Sequence, residues 1–119
     1  VGAPEVVVGC SVHSVEAAAA AAAGGADYLQ VGTMFPTLSH PGKTPEGPGL
    51  LADIRACLQA RAREGGAGGS GGLAVPVPRA TPALIGVGGI TRDNCGAVIK
   101  AGGDGVAAIR ALCGRAARA

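Results

Sequence analysis

Gly24-Gly25-Ala26-Asp27-Tyr28-Leu29-Gln30-Val31 decides the fold, because Ala101-Gly102-Gly103-Asp104-Gly105-Val106-Ala107 repeats its outline near the other end of the chain. In each copy small residues end a helical stretch, and an Asp then leads into a short apolar run. Glycine releases the chain from a helix because it lacks the Cβ that penalises a left-handed residue. Asp follows because its carboxylate bonds nearby backbone in turns. The two Asp residues stand two units of about 38 residues apart, a workable length for a strand-helix repeat.

Outward from the repeat, Tyr28 to Val31 is a strand. Upstream, Ser14 is placed as an N-cap and Glu16 favours the positive end of a helix over Val15 to Ala23, which Gly24 and Gly25 stop. Before it, Glu5 to Cys10 is short and β-branched and is predicted to be a buried strand. Downstream comes a long loop, Gly32 to Pro48. A helix from Gly49 to about Arg63 then carries Leu50, Leu51, Ile54, Cys57 and Leu58 on one face. Residues 64–72, EGGAGGSGG, are expected to be a flexible surface insertion. The pattern resumes with a strand over Ala83 to Val87, a helix over Asp93 to Ala101, a strand over Gly105 to Ile109 and a closing helix over Ala111 to Ala117. This α/β alternation implies parallel strands joined by right-handed crossovers. Four such units are half of an eight-stranded TIM barrel, and four strands leave two open edges.

Composition narrows the function. The 119 residues are 48% hydrophobic with 22 glycines, which suits one modest core and excludes a disordered tail. The net charge of +2 is scattered, with no basic stripe and interleaved aromatics, so nucleic acid is not an expected partner. Cys10, Cys57, Cys95 and Cys113 are far apart, which argues against a zinc site or disulfide framework and for a reducing compartment, cytoplasmic or plastid. The apolar run Ala17 to Ala23 is far below the roughly 18 residues a membrane span needs. No targeting region is visible.

In parallel barrels chemistry belongs at the C-terminal ends of the strands. After the first strand, alternation puts Ser11 and His13 on the face of Gly9. His13 is a candidate acid, base or phosphate donor, against the plainer reading of a helix cap or backbone partner. After the second strand, Thr37 and Ser39 alternate, so their hydroxyls can converge on one anion. His40 and Lys43 could add charge, and an ordinary polar surface loop is the alternative. After the third, Gly88 and Gly89 let backbone N–H groups approach a phosphate. The fourth ends at Ile109 and Arg110, and the last two strand tips of such barrels often share a phosphate. Asp27 and Asp104 precede strands, on the opposite rim, and are expected to be structural.

Five ordered motifs resemble thiamine-phosphate synthase and its TenI-type relatives across essentially the whole chain. They are Gly9-Cys10-Ser11-Val12-His13-Ser14, Gly25-Ala26-Asp27-Tyr28, Gly32-Thr33-Met34-Phe35-Pro36-Thr37, Ile85-Gly86-Val87-Gly88-Gly89-Ile90-Thr91 and Gly103-Asp104-Gly105-Val106-Ala107. The resemblance implies the C-terminal half of a (β/α)8 barrel whose complete form joins a pyrimidine-methyl diphosphate to a thiazole phosphate. Diphosphate departs first, and the thiazole nitrogen captures the resulting pyrimidine cation. It also implies Mg²⁺, whose aspartate ligands belong to the other half of the barrel, so this segment alone is expected to be inactive. By the same resemblance Thr37 and Ser39 hold the diphosphate or thiazole-phosphate region, Gly88, Gly89, Ile109 and Arg110 grip phosphate, and Ser11 is an active-site serine. Three departures stand out: Gly32-Thr33 replaces Gly-Pro, His40 replaces Lys, and Arg110 replaces Ser. Arg110 is a candidate bidentate phosphate ligand that would stand in for that Lys. His13 and the Ser39-His40-Pro41-Gly42 loop look more like the TenI branch, some of whose members are thiazole tautomerases using the histidine that matches His13. A non-catalytic phosphate-binding homologue is the third reading. An exposed sheet edge would also permit a homo-oligomer.

Overall fold

The computed structural model describes residues 6–37, 42, 44–68 and 81–109. Four strands, β1 Gly9–Val12, β2 Tyr28–Val31, β3 Ala83–Val87 and β4 Gly105–Ala107, lie side by side in sequence order, and every neighbouring pair is parallel. Helix α1 (Val15–Ala23) follows β1, α2 (Gly49–Gly68) follows β2 and α3 (Cys95–Lys100) follows β3. The expected α/β architecture with a parallel sheet is therefore present.

Alternation gives the sheet two different faces. Val12, Leu29, Val31 and Leu84 point to the helical side and are buried with Ala18 of α1, Leu51, Ile54 and Leu58 of α2 and Val98 of α3 in one cluster. Each large aliphatic side chain there contributes about 1.5–3 kcal/mol by leaving water. The face read for α2 from its helical spacing is the one that packs, with Leu50 and Cys57 half-buried at its margins. On the other face the register aligns Ser11 with Gln30, Gln30 with Ile85, and Ile85 with Gly105. Below that row lie Gly9, Tyr28 and Ala83. Gly9 carries no side chain, and the Tyr28 ring occupies the space a Cβ there would need.

Local chemistry fixes the helix ends. Ser14 is extended (φ −153°, ψ 164°) and its hydroxyl accepts from Ala17 N at 3.0 Å, while Gly24 closes α1. Both cap assignments made from the sequence are met.

The repeated Asp residues do the same job twice. Asp27 N–H donates to Val8 O (2.7 Å) and its Oδ2 accepts from Val8 N (2.9 Å). Asp104 N–H donates to Leu84 O (2.7 Å) and its Oδ2 accepts from Leu84 N (2.8 Å). Each Asp thus latches the start of its own strand to the strand before it, at the rim away from the strand tips. Arg55 of α2 adds an ion pair to Asp104 Oδ2 (2.8 Å) and hydrogen bonds to Gly102 O. Arg55, followed by the Leu84 amide, holds the Asp104 carboxyl below the usual aspartate range. A lowered folded-state value stabilises the fold above about pH 3.9, the ordinary aspartate value, and that contribution disappears as pH falls through the lower value. Asp104→Asn is accordingly expected to lower the urea midpoint at neutral pH and to flatten its decline as pH falls below about 4. Parallel midpoint-against-pH curves for the two proteins would remove the latch from the stability argument.

Four expectations are corrected. The first strand is Gly9–Val12 rather than Glu5 to Cys10, and Val6, Val7 and Val8 are 63%, 64% and 50% exposed. Apolar, β-branched character favours a strand, but pairing starts only where Asp27 takes hold of Val8. Helix α2 runs on to Gly68, so residues 64–68 of the expected insertion are helical. Each added helical residue gains a hydrogen bond, and glycine weakens a helix without forbidding it; residues 69–72 lie outside the described residues. Helix α3 is Cys95–Lys100 rather than Asp93 to Ala101, because the preceding turn takes up Thr91 to Asn94. Strand β4 stops at Ala107 instead of Ile109: its last partner is Val87, after which the chain turns away at Gly88 and Gly89. The expected closing helix, Ala111 to Ala117, lies outside the described residues.

Candidate active site

At the C-terminal ends of the strands, on the face away from the helices, lies a cavity of about 510 Å³. Ser11 and His13 reach it from β1 and the residue beyond, Gln30 from β2, Thr33 and Thr37 from the loop after β2, Gly88 to Ile90 from the turn after β3, and Ile109 from beyond β4. Ser11, His13, Thr37, Gly88, Gly89 and Ile109, all singled out from the sequence, thus share one cavity. Ser39, His40 and Arg110 lie outside the described residues. Gln30 was not among the sequence candidates, although its alternation with Gly32 and its register with Ser11 bring it here.

The turn after β3 is built by close approach. Gly88 and Gly89 have φ of +102° and +66°. A Cβ on Gly88 would lie 2.6 Å from Thr33 Cγ2, and one on Gly89 would lie 2.5 Å from Pro36 O and 2.8 Å from Phe35 O. Met34 N–H donates to Val87 O (2.9 Å) and Phe35 N–H to Gly88 O (3.1 Å), so the loop after β2 runs against this turn. Asn94 braces it from the turn before α3: Nδ2 donates to Gly89 O at 3.0 Å, while Oδ1 accepts from Thr91 N at 2.8 Å. With these carbonyls taken up, the amides of Gly89 and Ile90 donate to no other described residue. Bare, fixed N–H groups beside a cavity suit an anion.

The loop itself is tied at its base. Thr33 is buried, its N–H donates to a Glu46 carboxylate oxygen, and its carbonyl accepts from Glu46 N (2.7 Å) and Gly47 N (3.2 Å). Proline has no N–H to offer, so the departure from Gly-Pro to Gly32-Thr33 supplies the donor for this tie.

His13 Nδ1 lies 2.8 Å from Gly32 O. A carbonyl only accepts, so Nδ1 carries the proton, which leaves Nε2 as the ring nitrogen available to a ligand. The plainer reading of His13, a backbone partner, holds for one nitrogen and leaves the other free for chemistry.

Among the described residues no acidic side chain lines the cavity, and no group of three or more His, Cys, Asp or Glu could hold a metal ion. Mg²⁺ favours carboxylate and phosphate oxygens, so these residues do not make a magnesium site. Among the described residues no helix is long and apolar enough to cross a membrane.

Comparison with known proteins adds to this geometry. The family model described as thiamine monophosphate synthase matches residues 2–112. Thiamine-phosphate synthase of Geobacillus thermodenitrificans is 37% identical over 107 residues, covering 89% of this chain and 39% of the relative. That of Methanospirillum hungatei is also 37% identical, over 89% of this chain and 41% of the relative. The solved thiamine phosphate pyrophosphorylase of Pyrococcus furiosus superposes with a TM-score of 0.58 at 30% identity, over 90% of this chain and 40% of that one. The chain thus spans about two fifths of the length of these relatives. With its parallel sheet, its cavity at the strand tips and a family match over nearly all its length, this chain belongs to the thiamine monophosphate synthase family.

Proposed function

We propose that the chain supplies the phosphate-holding side of a thiamine-phosphate synthase active site, in a protein that couples a pyrimidine-methyl diphosphate to a thiazole phosphate. The observation that carries this reading is the meeting of Thr37 with the Gly88-Gly89 turn in one cavity, beside Ser11 and His13. The amides of Gly89 and Ile90 meet a phosphate without having to reorganise, and the Thr37 hydroxyl adds a contact from the facing loop. Holding the phosphate there fixes the thiazole ring in the cavity before its nitrogen attacks, which converts an encounter into an oriented step. The Ser11 hydroxyl can donate to the diphosphate oxygens that gain charge as the group leaves, while His13, with its proton on Nδ1, presents Nε2 as an acceptor to the bound ligand. We propose Mg²⁺ for the whole protein as well: held by residues other than those described, it would supply positive charge for the diphosphate oxygens.

The free Nε2 of His13 supports a second reading, a thiazole tautomerase, in which that nitrogen moves a proton on the bound ring. The assay that separates the two uses the full-length protein with both precursors. Mg²⁺-dependent formation of the coupled product is the expected result. Isomerisation of the thiazole phosphate without coupling would replace the synthase reading with the second.

A further inference from the structure

We propose that Gln30, paired with Ser11, is a specificity-determining residue that reads the uncharged ring of the phosphorylated ligand. The inference deepens the site proposed above and rests on it.

The two residues are register partners on adjacent strands, on the cavity side of the sheet. Neighbouring strands lie about 4.8 Å apart, so hydroxyl and carboxamide enter the cavity side by side. Gln30 is half-buried, and its carboxamide has no hydrogen-bond partner among the described residues. A ligand that displaces water from this amide must meet its donor and its acceptor, so one that does both is favoured over one that does not.

Depth decides which part of a ligand that is. The row of Ser11, Gln30 and Ile85 lies one alternation below Val87, and the Gly88-Gly89 turn follows Val87 directly. Two residues of strand span about 6.6 Å. A phosphate on the turn thus leaves a short linker's length before a ring meets Ser11 and Gln30. Below them the Tyr28 ring closes the way down by lying over Gly9. Val87 and Ala107 give the ring an apolar side, and among the described residues no Asp, Glu, Lys or Arg side chain lines the cavity. A neutral heteroaromatic ring with hydrogen-bonding edge atoms fits this row, and a second anionic group does not.

Titration of full-length protein with the thiazole phosphate and, separately, with inorganic phosphate tests this. Gln30→Met, and independently Gln30→Leu, should weaken the thiazole phosphate about tenfold, the worth of a lost hydrogen bond. Affinity for inorganic phosphate should stay within about twofold. Unchanged affinity for both ligands overturns the proposal, and so does an equal loss for both, which would put Gln30 at the phosphate end. If the unaltered protein binds no inorganic phosphate, the glycine-turn site fails and this inference with it, a result distinct from any effect confined to the Gln30 variants.

Discussion

Gly89→Val is expected to abolish phosphate binding while leaving the parallel sheet assembled. Its φ of +66° alone costs a β-branched residue about 1–2 kcal/mol. Larger is the collision, because the new Cβ would sit 2.5 Å from Pro36 O and 2.8 Å from Phe35 O, which are backbone atoms that cannot rotate aside. Either the turn opens or the loop from Thr33 to Thr37 pulls away, and both carry cavity walls. Gly25→Ala is the control. Gly25 has φ +103°, a methyl there would meet nothing within 4 Å, and it lies near Asp27, at the rim away from the cavity. It should lose about 1–3 kcal/mol of stability through backbone strain while phosphate still binds. Titration with inorganic phosphate, alongside urea unfolding of both variants, separates loss of the pocket from loss of stability. A Gly89→Val protein that binds phosphate normally would remove the turn from the site.

The second large effect is expected at His13. Asparagine places its amide nitrogen near the position of Nδ1, so His13→Asn keeps a donor for Gly32 O and removes only Nε2. If His13 moves a proton, kcat of the full-length protein should fall about 10²- to 10⁴-fold with KM little changed. His13→Ala should lose the same catalytic factor and also some stability, through the vacated carbonyl. Near-normal turnover in His13→Asn would make His13 a strut between the ends of β1 and β2 rather than a catalytic residue.

Much of the fold was legible because local signals agreed with the tertiary arrangement. Ser14 and Gly24 bound α1 as read, and β2 and β3 match residue for residue. The failures arose where a distant partner decides. Three consecutive valines look like a core strand, yet the carboxylate of Asp27, far along the chain, sets where β1 pairing begins. Gln30 was hidden for a different reason: the barrel rule points to residues beyond the strand tips, whereas a cavity is also lined by alternate residues within the strands. The glycines were assigned to a phosphate grip, and the structure adds a second cause: Thr33, Phe35 and Pro36 come too close for any side chain.

Asp27 and Asp104 have a consequence for how such a molecule diversifies. Strand alignment is locked at one rim, while the groups facing the cavity are displayed at the other. Substitutions among the displayed groups can therefore accumulate without shifting the alignment beneath them. A descendant could change the chemistry displayed on the cavity face while keeping an unaltered chassis.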